Sequence, residues 1–155
     1  MQKILIAIDY APSAKRIAEQ GYALGKAMNA EIILLHVIED VGYYASTAYD
    51  PIMGFGGFAN TNFLSSDAMD SITKEAAIYL EKIKLHLQDN SIKIRVEQGE
   101  IADTILETAK KINCKLIVIG TQSKSAIGEI LMGSTAHKLI KHSTVPIFII
   151  PTKPK

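Results

Sequence analysis

A chain of 155 residues, 48% hydrophobic and 21% charged, is the size of one domain and can bury roughly 70% of its unfolded surface, which excludes global disorder. Its net charge is +1, with the basic residues scattered, so the basic stripe of a nucleic-acid-binding protein is missing. The single Cys114 cannot form an internal disulfide and fits a reducing compartment.

The N-terminal apolar run, Ile4 to Ile8, stops at Asp9, too short for a signal peptide's apolar stretch or a membrane span. These features predict a cytoplasmic protein with no membrane and no nucleic-acid partner. The run itself, KILIAI at 3–8, is the first predicted strand. Residues 12–28 follow as a helix with Pro12 in its first turn, where proline is tolerated, and with Ile17, Tyr22, Leu24 and Met28 at roughly helical spacing. EIILLHVI (31–38) is the second strand. A long connection at 39–66, containing YYASTAYDPIMGFGGFANTNF, comes next; structureless stretches of this length are uncommon and usually functional or disordered.

A helix at 67–88 carries Ile72, Ala76, Tyr79, Leu80, Ile83 and Leu87 on one face, an ordinary amphipathic pattern. In IKIRVEQ (92–98), Ile92, Ile94 and Val96 alternate with charged residues, which predicts a strand at or near an edge with one solvated face. A helix at 102–112 presents Ile105, Leu106, Ala109 and Ile112. KLIVIG (115–120) and PIFII (146–150) are strands, and a helix at 134–142 between them carries Ala136, Leu139 and Ile140. The continuous β-branched runs predict strands covered on both sides. Strict alternation of strand and helix predicts a parallel sheet with right-handed crossovers and helices on both faces. No repeat or boundary divides residues 1–155, which read as a single domain.

In an open parallel sheet, ligands bind beyond the carboxyl ends of the strands, where the winding reverses. Those ends carry Ile8-Asp9-Tyr10, His36-Val37-Ile38 and Ile119-Gly120-Thr121. The stretch GTQSKSAIGEILMGST (120–135) leads to Gly133-Ser134-Thr135 at the start of the last helix. Free N–H groups and the positive end of a helix dipole make such a start an anion site, although Ser134 or Thr135 could equally be a plain N-cap.

With strand 1 ending in Asp9, LLHVIE at strand 2, LIVIGT at strand 4, a distal Gly-Ser and a closing VPIFII, the whole chain resembles the universal stress protein family. The resemblance implies an adenine nucleotide alpha hydrolase-like α/β fold, a five-stranded parallel sheet in the order 3-2-1-4-5. It also implies the phosphate-binding pattern Gly-x2-Gly-x9-Gly-Ser/Thr, which Gly120, Gly133 and Ser134 match and from which Ser123 departs at the second glycine. Carried over residue by residue, Asp9 and the backbone near Ala7 would contact adenine or ribose. Val37 would meet the adenine edge through its main chain, and Ile119 and Gly120 would flank ribose and α-phosphate. Gly133, Ser134 and Thr135 would hold the phosphates.

ATP, with Mg2+ as an optional companion on its phosphates, is the implied ligand. A nucleotide-dependent switch or signalling module in stress response is the implied role, with the 39–66 connection as the responding part. A homodimer through the last strand (Val145, Pro146, Ile147, Phe148, Ile149, Ile150) is the implied assembly. If the position of Ser123 requires a left-handed backbone, a Cβ there costs roughly 1–2 kcal/mol, about tenfold in affinity. The alternative is a dimeric interaction protein of the same fold whose cradle is degenerate and holds no ATP.

No catalytic constellation is visible: there is no Gly-x-Ser-x-Gly elbow, no Walker Gly-x4-Gly-Lys-Ser/Thr, and no positioned base or arginine, so at most slow ATPase activity is expected. No metal site is predicted, since His137 and His142 lie five apart, off one helical face. Gly54-Phe55-Gly56-Gly57 follows no strand and opens no helix, so it reads as a loop. His36 reads as a strand-end histidine with a satisfied partner, and Lys124 as a loop lysine within reach of a phosphate or of water alone.

Overall fold

Five apolar segments form one parallel sheet in the computed structural model, which describes residues 1–39, 66–121 and 132–152. The strands are β1 (Lys3–Ala7), β2 (Glu31–Ile38), β3 (Lys93–Gln98), β4 (Leu116–Gly120) and β5 (Ile147–Ile150). The helices are α1 (Ala14–Ala27), α2 (Ser66–Leu87), α3 (Ile101–Lys111) and α4 (Ser134–His142). The strand order is β3-β2-β1-β4-β5, as the resemblance implies. The long connection at 39–66 lies almost wholly outside the described residues.

Alternate residues of the central strands enter two separate cores. Ile4, Ile6, Ile32, Leu34 and Val118 pack with Ile17 and Ala18 of α1 and Leu80 and Ile83 of α2. Leu5, Ile33, Leu35, Ile117 and Ile119 pack with Ala102, Ile105 and Ala109 of α3 and Ala136 and Leu139 of α4. Each fully buried Leu or Ile contributes about 1.5–3 kcal/mol, so a strand between two helix layers has no use for polar positions. β3, an edge strand, buries less, and its Lys93, Arg95 and Glu97 account for the broken apolar run.

The buried face of α1 differs from its apolar pattern. The spacing predicts Ile17, Tyr22, Leu24 and Met28 toward the core; Ile17 is buried and Tyr22 packs partly buried against the core, but the rest of the buried face is Ala14, Ala18, Gly21 and Gly25, and Met28 is exposed. Close approach explains the small residues. A Cβ on Gly21 would stand 2.7 Å from Ile6 Cδ1, and one on Gly25 2.7 Å from Ile32 Cγ1. Pro12 precedes α1 instead of lying in its first turn, although Ser13 already has helical angles and its carbonyl accepts the Ile17 N–H. In α4, Ala136 and Leu139 are buried as predicted but Ile140 is exposed. The first three helices end on a residue of positive φ, Asn29, Gln88 and Asn113, the left-handed cap that releases the chain toward the next strand.

Candidate functional site

The winding direction reverses between β1 and β4. Their paired register ends at Ile6 and Val118, so beyond that point the two strands part and leave a crevice at their carboxyl ends, where such sheets bind ligands. The crevice opens into a cleft of about 710 Å³, open space at its mouth included. Ala7, Asp9, Val37, Ile119, Gly120, Gly133, Ser134 and Thr135 all line it. Of the candidate residues, Ser123 lies outside the described residues, as does Lys124. The cleft wall also includes Ile8, Ile17, Leu35, Ile101, Ile105, Thr121 and Ala136. Ile105 and Ala136 carried only a core signal in the sequence, Thr121 was marked only as part of a strand end, and Ile101 carried nothing that marked a site.

Asp9 stands in the turn where β1 leaves the sheet. Its Oδ1 accepts the Ala11 N–H at 2.9 Å, so the side chain braces the turn into α1. Burial pushes its carboxyl above the ordinary 3.8, partly offset by that N–H and by nearby His36. His36 is buried, and its Nδ1 lies 2.9 Å from the Ile8 carbonyl oxygen. Because a carbonyl can only accept, Nδ1 carries the proton. His36 is thus a strand-end histidine with a satisfied partner, and it also forms part of the cleft wall.

Val37 owes its position to strand parity. The Ile8 N–H bonds the Leu35 carbonyl and the Gly99 N–H bonds that of Ile38, so odd residues of β2 turn their peptide groups toward β1 and even ones toward β3. β1 has departed by Val37, and among the described residues no main-chain group meets Val37 on that side. Its peptide edge therefore faces the crevice. Gly120 has a packing reason to lack a side chain: a Cβ there would stand 2.5 Å from Ile17 Cδ1 and 2.7 Å from Thr152 Cγ2.

The opposite end of the cleft is the start of α4. The Gly133 N–H donates to the Thr121 carbonyl at 2.8 Å, which hangs the helix start from the end of β4. The first intrahelical bond runs from the His137 N–H to the Gly133 carbonyl, and among the described residues no side chain caps the helix. The N–H groups of Ser134, Thr135 and Ala136 therefore belong to the turn that has no helical acceptors and collect the positive end of the dipole. Lys138 holds α4 to α3 through Glu100 at 3.1 Å and Asp103 at 3.0 Å.

One end of the cleft thus offers an acceptor and a free peptide edge, the other a set of N–H donors, with Leu35, Ile101, Ile105 and Ile119 as an apolar wall between. Such a cleft can hold a flat heterocycle joined to an anion. Among the described residues no group of three or more His, Cys, Asp or Glu could hold a metal ion, and no helix is long and apolar enough to cross a membrane.

Comparison with known proteins agrees with this architecture. The model of the universal stress protein family matches residues 1–151. Universal stress protein MJ0577 of Methanocaldococcus jannaschii is 26% identical over 155 residues, covering 98% of this chain and 96% of its own. Universal stress protein YxiE of Bacillus subtilis is 28% identical over 150 residues, covering 96% and 97%. The solved structure of MJ0577 superposes with a TM-score of 0.74, covering 99% of this chain and 98% of its own. A universal stress protein in complex with cAMP superposes with a TM-score of 0.59 at 20% identity, covering 98% of each chain, a likeness of fold.

Proposed function

The chain belongs to the universal stress protein family, and from that membership and the form of its cleft we propose that it binds ATP and acts as a nucleotide-dependent switch in stress response. The observation that carries the reading is convergence. Separate stretches of sequence, at β1, β2, β4 and α4, bring the candidate contacts around one cleft at the switch point of the sheet. A family member of the same fold is known in complex with cAMP, which supports the nucleotide class.

In this reading adenine lies against the apolar wall, with Asp9 accepting from its amino group or from ribose and the Val37 peptide meeting its edge. The phosphates reach the first turn of α4, where Ser134, Thr135 and Ala136 present N–H groups. The described lining has no side-chain cluster suited to a metal, so Mg2+ would be held by phosphate oxygens and water. In the described lining Asp9 and His36 are engaged by the Ala11 N–H and the Ile8 carbonyl, so the chemistry is binding, with at most slow hydrolysis.

The test begins with the purified protein. It is denatured and the supernatant analysed for nucleotide, then fresh protein is titrated calorimetrically with ATP, ADP, AMP and cAMP. Co-purified adenine nucleotide, or heat on ATP addition, is expected. No released nucleotide and no heat at millimolar ATP would overturn the proposal in favour of an interaction protein with a degenerate cradle, the reading that Ser123 in a glycine position favours.

The same proposal extends to a cytoplasmic single-domain protein that dimerises through β5. That strand is an edge. Bonds from the Ile117 and Thr121 N–H groups to Pro146 and Ile150 turn the even residues inward, leaving the peptide groups of Ile147 and Ile149 facing outward beside an exposed Phe148. An apolar edge of this kind is a pairing surface unless covered. Light scattering is expected to give a dimer at micromolar concentration, and a monomer would overturn this part.

A further inference from the structure

Two side chains on the far side of the Asp9 turn suggest how that carboxylate is aimed. The carbonyl of Ile8, just before Asp9, accepts His36 Nδ1 at 2.9 Å. The carbonyl of Asp9 itself accepts the Tyr79 hydroxyl at 2.7 Å. Both peptide planes flanking the Asp9 Cα are therefore fixed by side chains, one from β2 and one from α2. Tyr10 closes over the donors, its ring centroid 4.3 Å from that of His36 and 4.8 Å from that of Tyr79.

A carboxylate in a turn can rotate with its backbone, and the Ala11 N–H fixes only one of its oxygens. Locking the two flanking carbonyls removes the remaining backbone freedom, which is the role of a supporting shell around a recognition group. The Tyr79 hydroxyl is suited to this because it stays a donor: burial first, and then the negative charge of Asp9, push its pKa up to about 12.

We propose that Tyr79 and His36 are positioning residues for base selection, clamping the Ile8 and Asp9 carbonyls so that the Asp9 carboxylate is presented to a hydrogen-bond donor on the ligand's base. The proposal rests on the nucleotide reading above. It adds a consequence, discrimination between purines. Adenine offers an exocyclic amino donor where guanine offers a carbonyl, and a fixed acceptor repels the second. A loosened Asp9 can swing away and tolerate it.

The experiment measures dissociation constants for ATP and GTP, and thermal unfolding without ligand, in the intact protein and in Tyr79→Phe, His36→Asn and His36→Leu. Tyr79→Phe keeps the ring and removes one hydrogen bond, so it is expected to weaken ATP roughly five- to tenfold and to leave GTP unchanged, narrowing the ratio between them. His36→Asn, which keeps an N–H near the position of Nδ1, is expected to retain the ratio, and His36→Leu to lose it. Equal weakening of both nucleotides in Tyr79→Phe, or an unchanged ratio, would overturn the clamp while leaving nucleotide binding intact. A native protein that binds neither nucleotide would overturn the binding reading and the clamp with it. Should His36→Leu fail to fold, Tyr79→Phe and His36→Asn still decide the matter.

Discussion

Gly120→Ala is the substitution on which packing and ligand binding can be told apart. The glycine matches the first position of a phosphate-binding pattern, yet the structure gives it a reason that involves no ligand. A Cβ would stand 2.5 Å from Ile17 Cδ1, 3.3 Å from Ile17 Cγ1 and 2.7 Å from Thr152 Cγ2. The first and last contacts are shorter than carbon atoms tolerate, so the ends of the Ile17 and Thr152 side chains must give way. Overpacking of this kind costs about 1–3 kcal/mol. At about 2–4 °C per kcal/mol for a chain of this size, Tm should fall by roughly 2–12 °C. Thermal unfolding of the unliganded protein measures it. The control is Ile17→Val, which deletes the atom at 2.5 Å and alone costs about 0.5–1.5 kcal/mol. If the clash is the cause, the double variant loses less than the sum of the two, by at least about 0.5 kcal/mol. An unliganded Tm unchanged by Gly120→Ala would refute the packing argument and return the glycine to the ligand, whereas strict additivity in the double variant would leave Thr152 as the residue it meets.

Ser134→Pro removes the N–H of the first helical position of α4 together with the serine hydroxyl, which Ser134→Ala removes alone, and Gly133, with φ −58° and ψ 155°, already has the conformation a following proline requires. Unliganded Tm should hold while ATP affinity falls roughly tenfold or more; calorimetry showing unchanged affinity would remove that N–H from the phosphate site. Asp9→Asn should raise unliganded stability at about pH 7 and lose the advantage by about pH 3. A carboxyl whose folded pKa is raised is penalised only once it ionises, and urea titrations at the two pH values check this. Asp89 carries the opposite sign, held down to about 2 chiefly by the hydroxyl and N–H of Ser91, with Tyr22 and Lys26 adding to it. Its contribution is present above the ordinary carboxylate range and is lost as pH falls toward the folded value, so Asp89→Asn should destabilise at neutral pH and match the native protein near about pH 2. Ser123→Gly should tighten ATP about tenfold if that position needs a left-handed backbone; an unchanged constant would mean that serine already suits its conformation.

How far the sequence could be read depended on whether a signal was local. The β-branched runs at β1, β2 and β4 announce strands buried on both faces, because only a two-layered sheet needs an uninterrupted apolar run, and the alternation in β3 announces its edge. The face of α1 was legible only at Ile17 and Tyr22. Its remaining contacts are made by Ala14, Ala18, Gly21 and Gly25, and a glycine that lets a helix approach a sheet adds nothing to an apolar pattern. The candidate contacts at Asp9, Val37 and Gly133 could be placed because strand ends and helix starts are local features. Tyr79 could not, since it reaches Asp9 across 70 positions of chain, and Thr121, marked only as part of a strand end, has contacts the sequence did not show: a carbonyl that holds the Gly133 N–H and a hydroxyl that meets Thr152. No spacing rule connects them.

The groups gathered at the cleft are ones that a bound ligand could engage. Burial raises the pKa of the Asp9 carboxyl, and among the described residues the Val37 peptide has no main-chain partner on the β1 side and the first N–H groups of α4 have no helical acceptor. In the proposed reading each would meet a different part of one nucleotide. A ligand that satisfies them binds the folded state alone and stabilises it by about 2.7 kcal/mol at a hundred times its dissociation constant. Asp9→Asn should therefore raise Tm without ATP and reduce the further rise that saturating ATP produces. A cleft whose polar groups served only the fold would lose stability in both states. The sign of the change without ligand, set against the sign of the change in ligand-induced stabilisation, separates a binding site from an ordinary loop at the end of a sheet.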